Sequence, residues 1–92
     1  MAWLFDFSRQ AEKFLAQQHL SDDFVVESIG RALRKLDGEH VAVDIERLNE
    51  PWKGYFRVRV QKIRIVFSFD AHAERVYIAA VNFRDSVYRR KP

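Results

Sequence analysis

Four arginines and a tyrosine carry most of the chemistry this sequence offers: Arg57, Arg59, Arg64, Arg84 and Tyr88. Three of the arginines fall within Tyr55–Phe69, where apolar and polar residues alternate. Phe56, Val58 and Val60 share one parity and Arg57 and Arg59 the other. After a break at Gln61-Lys62, Ile63, Ile65, Phe67 and Phe69 share a parity with Arg64 opposite. Side chains in a strand point to alternate faces, so the pattern predicts a β-hairpin with one apolar and one cationic face. A guanidinium stays charged at any relevant pH, and its planar fork matches phosphate oxygens. Such a face suits an anionic partner. The same charges would also make an ordinary solvated face that discourages edge pairing.

Other chemistries find less support. His19, His40 and His72 are dispersed, with no two at i, i+4, so no metal site is expected. There is no cysteine, which removes disulfides and thiolate ligands. Gly30, Gly38 and Gly54 are isolated and form no phosphate loop. No serine stands in a recognisable nucleophile setting, although a triad assembled only in the fold stays open. No cofactor is expected.

The 92 residues suffice for one domain, 1–92, with a modest core. A hydrophobic fraction of 48% with 14% aromatics predicts a packed globule. The short N-terminal apolar stretch lacks a basic lead and is interrupted by Asp6, unlike a signal peptide. No apolar run approaches the roughly 20 residues that span a bilayer, so a soluble, cytoplasmic protein without a membrane partner is expected. Net charge is +3. Residues 1–50 carry six Lys or Arg against ten Asp or Glu, whereas the chain from Pro51 carries ten against three. The cationic excess therefore lies in the half that contains the hairpin.

The elements that must position these arginines follow from periodicity. Trp3, Phe5 and Phe7 alternate as a first strand. Ser8 is an N-cap for a helix to about Leu20, with Ala11, Phe14 and Leu15 on its buried stripe. Ser21-Asp22-Asp23 opens a second helix whose stripe is Val25, Ile29, Ala32, Leu33 and Leu36, closed at Asp37-Gly38. In residues 39–50, Val41, Val43 and Ile45 alternate, but Leu48 and its charged neighbours read as a connector. Asn49-Glu50-Pro51 is a turn. After the hairpin, residues 74–83 form one more strand, with Val76, Ile78 and Ala80 on one parity and Tyr77, Ala79 and Val81 on the other. Apolar on both, it is expected to be central and at least partly buried on both faces. Residues 84–92 allow no more than a turn or two of helix. The order is β-α-α-β-β-β, an α+β domain in which a helical hairpin packs on a small, mostly antiparallel sheet.

Two segments then resemble a known family. Trp52-Lys53-Gly54-Tyr55-Phe56-Arg57-Val58-Arg59-Val60, followed by Ile63-Arg64-Ile65-Val66-Phe67, is similar to the arginine-bearing hairpin of the RelE/ParE toxin superfamily. Val81-Asn82-Phe83-Arg84-Asp85-Ser86-Val87-Tyr88 is similar to its closing segment. The aromatic first strand, the helical hairpin and the Leu48 connector extend the resemblance over nearly the whole chain.

The resemblance implies a toxin of a bacterial toxin–antitoxin pair, RelE-like in type, which cleaves mRNA on the ribosome. Its partners would be the ribosome with mRNA and a cognate antitoxin, with operator DNA reached only through the antitoxin. Cleavage without metal would proceed by attack of the ribose 2′-OH on the adjacent phosphate. Arg64 and Arg84 match the family's phosphate-binding and leaving-group arginines, Arg57 and Arg59 its preceding basic pair, and Tyr88 the aromatic that orients a base. The catalytic set is then Arg64, Arg84, Tyr88 and Arg59, with Arg57, Lys53, Lys62, Arg89 and Arg90 binding RNA. The alternatives are a ParE-like inhibitor of DNA gyrase without nuclease activity, or an inactive homologue that only binds its antitoxin. The chain departs from the family pattern at three places. Gln61-Lys62 lacks the usual glycine, Phe83 stands where many members carry histidine, and Phe67 replaces a frequent tyrosine. Glu46 is a general base by position only, with a structural salt bridge as its other reading.

Overall fold

A computed structural model describes residues 3–83. Its elements are β1 (Leu4–Phe7), α1 (Arg9–Gln17), α2 (Asp22–Leu36), β2 (Asp44–Arg47), β3 (Phe56–Val60), β4 (Ile63–Asp70) and β5 (Arg75–Asn82). One sheet holds all five strands in the order β1-β5-β4-β3-β2. Only β1 and β5 run parallel. The α+β architecture and element order are those expected, with one strand added: part of the connector pairs with the hairpin as β2.

Both helices end for local reasons, and α1 also begins for one, whereas Ser21 stands at the N-cap of α2 without a side-chain capping bond, ahead of Asp22 and Asp23 in the first turn. The Ser8 hydroxyl accepts the Ala11 N–H at 3.1 Å and donates to the Ala79 carbonyl at 2.8 Å, so one side chain caps α1 and ties it to β5. The Gln10 amide donates to the Val81 carbonyl (2.8 Å) and accepts the Val81 N–H (2.9 Å). It stands in for a neighbouring strand just beyond the point where β1 ends. α1 stops at Gln17, short of Leu20. The Leu20 N–H reaches the Leu15 carbonyl (2.9 Å) and the His19 N–H that of Ala16 (3.2 Å), a Schellman closure with His19 at φ +56°. α2 closes the same way on Gly38, as its sequence predicts: Glu39 N–H to Arg34 O at 3.1 Å, Gly38 N–H to Lys35 O at 3.0 Å, φ +94°. The left-handed position favours glycine, and at the end of α1 a histidine fills it.

The main core lies between helices and sheet, where Phe14, Leu15, Val25 and Ile29 meet Val58, Ile65, Phe67, Val76, Ile78 and Val81. A second, smaller cluster lies on the opposite face: buried Trp52 covers Val66 and Ala80, flanked by Leu48, Tyr55 and Ala79. A bulge makes this possible. Val66 pairs with Ala80 but Phe67 with Ile78, which leaves Ala79 as the extra residue. From there β5 changes parity. Val81, not Ala80, points into the main core, and Ala80 and Asn82 join the opposite face. Strict alternation assigned these residues the other way round. β5 is interior to the sheet as expected. Tyr77 is 42% exposed and Ala80 only 5%, so its second face is covered only near the C-terminal end, beneath Trp52.

Candidate functional site

Register places the hairpin arginines on the face away from the helices. Arg59 and Arg64 are direct cross-strand partners, and Arg64 faces Asn82 on its other side. With Asp44 opposite Arg59, a row runs Asp44, Arg59, Arg64, Asn82 across four strands. The adjacent row is Glu46, Arg57, Val66, Ala80. The bulge at Ala79 brings Asn82 into the first row.

The arginines differ in their surroundings. Arg59 is exposed, and its Nε approaches the Gln61 carbonyl at 3.5 Å. Arg64 is half-buried, with Nη1 donating to the Phe83 carbonyl at 3.3 Å. Arg57 is clasped: Nη1 lies 3.3 Å from Asp44 Oδ1 and Nη2 3.0 Å from Glu46 Oε1. Its side chain is 13% exposed, against 52% and 61% for the carboxylates. Of the two readings of Glu46, the salt bridge is the one observed. Arg57 thus shares the face of the other two arginines, with much of its charge offset by β2.

Lys62 stands in the tight turn beside Arg59 and Arg64. Val60 pairs with Ile63, so Gln61-Lys62 is a two-residue loop, tightened by a positive φ (+56°) at Gln61. Lys53 lies past the opposite end of β3, on the rim of a hollow shared with Arg47. The structure therefore brings together Arg59, Arg64 and Lys62, with Arg57 one row away, and sets Lys53 apart. Arg84, Tyr88, Arg89 and Arg90 lie outside the described residues. By sequence, Arg84 follows Asn82, the partner of Arg64, by two positions.

The departures from the family pattern have packing consequences. Phe83 meets Phe14 edge-on at 5.0 Å, and Phe67 is fully buried and stacked on Phe56 at 5.7 Å. Sequence reasoning missed Asp44, Asn82 and Trp52. Asp44 and Glu46 flank Ile45 in the alternating run that was read as a connector, and that alternation was the available signal. Among the described residues no group of three potential ligands could hold a metal ion, and no helix is long and apolar enough to cross a membrane.

Neither a protein-family model nor a curated protein sequence matches the chain. Solved structures do. The heterotetrameric YoeB–YefM toxin–antitoxin complex of Staphylococcus aureus contains a chain 22% identical, with 91% of this chain and 99% of that one covered, at a TM-score of 0.62. The RelBE2 toxin–antitoxin complex of Mycobacterium tuberculosis gives 21% identity, coverage of 91% and 100%, and a TM-score of 0.57. A YafQ mutant from E. coli gives 10% identity, coverage of 95% and 99%, and a TM-score of 0.64. At such identities the likeness is one of fold, and it extends over nearly the full length of both partners: the chain has the α+β fold of these toxin structures.

Proposed function

We propose that the protein is the toxin of a toxin–antitoxin pair and cleaves mRNA on the ribosome by 2′-OH attack on the adjacent phosphate. The observation that carries this reading is the direct pairing of Arg59 with Arg64. Two guanidinium groups placed side by side on one face present paired forks of N–H donors to a phosphate set between or above them. A phosphate in transit through a pentacoordinate state gathers negative charge on its non-bridging oxygens. Arg59 and Arg64 offer fixed donors for that charge, and Lys62 adds attraction at the turn. Arg84 and Tyr88 complete the set by their match to the family pattern. A cognate antitoxin is the expected partner, because the similar YoeB and RelBE2 chains were solved in toxin–antitoxin complexes.

The test is induction of the wild-type chain, Arg64→Ala and Arg84→Ala, followed by mapping of RNA ends on translating ribosomes. Codon-phased cuts should appear with the wild type. Each variant should lower their rate by about a hundredfold or more, the usual cost of losing one donor to a developing oxyanion. Growth arrest with intact transcripts would overturn the nuclease reading.

One observation favours a second reading, inhibition of DNA gyrase without cleavage. The clasp of Asp44 and Glu46 on Arg57 reduces the cationic area of the face, which suits a protein target better than an RNA. Gyrase-dependent DNA breaks in the same induction would support it.

A further inference from the structure

At the far end of β3, away from the arginine row, a hollow of about 610 Å³ lies among Arg47, Asn49, Glu50, Lys53 and Phe56. We propose that it binds one nucleotide of single-stranded RNA, the base stacking on the Arg47–Phe56 pair and the phosphate meeting Lys53. The choice of ligand rests on the RNA reading above; the contact itself is separate from the cleavage site. Arg47 and Phe56 are cross-strand partners with parity opposite to Arg57 and Arg59, at the end of the β2–β3 pair remote from the Arg59–Arg64 rung.

The hollow has a built platform. The Arg47 guanidinium lies over the Phe56 ring, 5.5 Å from its centroid. Phe56 is itself packed against Phe67 at 5.7 Å and Phe69 at 5.5 Å. A guanidinium placed over a braced ring makes with it a cationic, aromatic edge on which a planar group can stack, and a nucleobase is such a group. The cations here are also unspent. Arg34, Arg57 and Arg75 are each bridged by carboxylates, whereas Arg47 and Lys53 make no ion pair among the described residues, although Glu50 shares their rim.

The loop that supplies Asn49 and Lys53 is held in place before any ligand arrives. Leu48 N–H donates to Tyr55 O (3.0 Å), Trp52 N–H to Asn49 O (2.8 Å) and Tyr55 N–H to Trp52 O (3.0 Å), and Trp52 is 4% exposed. Gly54, at φ +94°, gives the left-handed turn that returns the chain to β3. Asn49 brings a side-chain amide with both donor and acceptor to the rim, the group that reads a base edge. An acidic peptide would engage the two charges but would make no use of the ring plane.

The test is titration of the full-length protein with a single-stranded RNA hexanucleotide, read by NMR at the Asn49 side-chain amide and the Gly54 backbone amide, with affinity from fluorescence anisotropy. Both signals should move. They should still move in an Arg59→Ala/Arg64→Ala double variant, which separates this contact from the cleavage site. Arg47→Ala should weaken binding about tenfold through lost stacking. Arg47→Lys should weaken it nearly as much while leaving the salt dependence unchanged, and Lys53→Ala should lower the salt slope by about 0.7. Unmoved Asn49 and Gly54 signals in the wild type would overturn the proposal. So would wild-type affinity in Arg47→Lys, or a glutamate-rich peptide that moves the same signals with equal affinity.

Discussion

Arg59 and Arg64 are directly opposed like charges, an arrangement that costs a strand pair about 0.2–1 kcal/mol. Arg59→Gln should therefore raise the unfolding free energy measured in urea by roughly that amount while slowing cleavage at least about tenfold. A fall in both would mean that Arg59 supports the hairpin. Arg57 predicts the reverse pattern. Its partners Asp44 and Glu46 stand 13 and 11 residues away in sequence, on a strand visible only once it pairs with β3. Parity revealed that Arg57 faces the same way as Arg59, but its compensation was not legible. Glu46→Gln should release one arm of that clasp. With the carboxylate well exposed, the stability loss should stay below about 1 kcal/mol. RNA affinity should rise, with a salt slope steeper by about 0.7, as Arg57 becomes available to a phosphate. Titration of both proteins across a salt series checks this, and an unchanged slope would leave Arg57 a structural residue.

Among the elements, what could be read early was what local chemistry decides. Both helices carry a helical apolar stripe, α1 opens on a working serine cap, and the hairpin alternates apart from Val66, so these were legible. Three features depend on contacts the local sequence does not display. β2 is a four-residue strand, three of them charged, whose only sheet neighbour among the described residues is β3. The bulge at Ala79 reverses the parity of β5 and turns Ala80 to the face where Trp52 covers it together with Val66. His19 and Gln61 hold left-handed conformations that composition assigns to glycine. The last point yields a prediction for the turn. A non-glycine residue at positive φ costs on the order of 1–2 kcal/mol, partly offset by the greater unfolded-state freedom of glycine. Gln61→Gly should then stabilise the protein by up to about 1 kcal/mol in chemical denaturation. Because Gln61 presents its carbonyl to Arg59, cleavage should hold or fall slightly while stability rises.

Across the whole molecule the two faces of the sheet divide the labour. One is buried beneath both helices and supplies the main core. The other is split between a patch sealed by Trp52 and the open row of Arg59, Arg64 and Asn82. Stability and chemistry thus meet on one face, and Trp52 is the hinge between them, since it also fixes the loop around Asn49 and Lys53. A chain of 92 residues has a total stability of roughly 5–14 kcal/mol, and removing a buried tryptophan costs about 3–5 kcal/mol. Trp52→Ala should lose roughly a fifth or more of the stability, whereas Trp52→Phe should keep most of it. Both keep every arginine, so any loss of cleavage in Trp52→Ala should follow its unfolded fraction and return when sucrose restores the folded state. Arg64→Ala should stay inactive under the same conditions while folding normally. If sucrose refolds Trp52→Ala without restoring cleavage, the indole contributes to the site directly, and the sealed patch belongs to the RNA-binding surface rather than to the core.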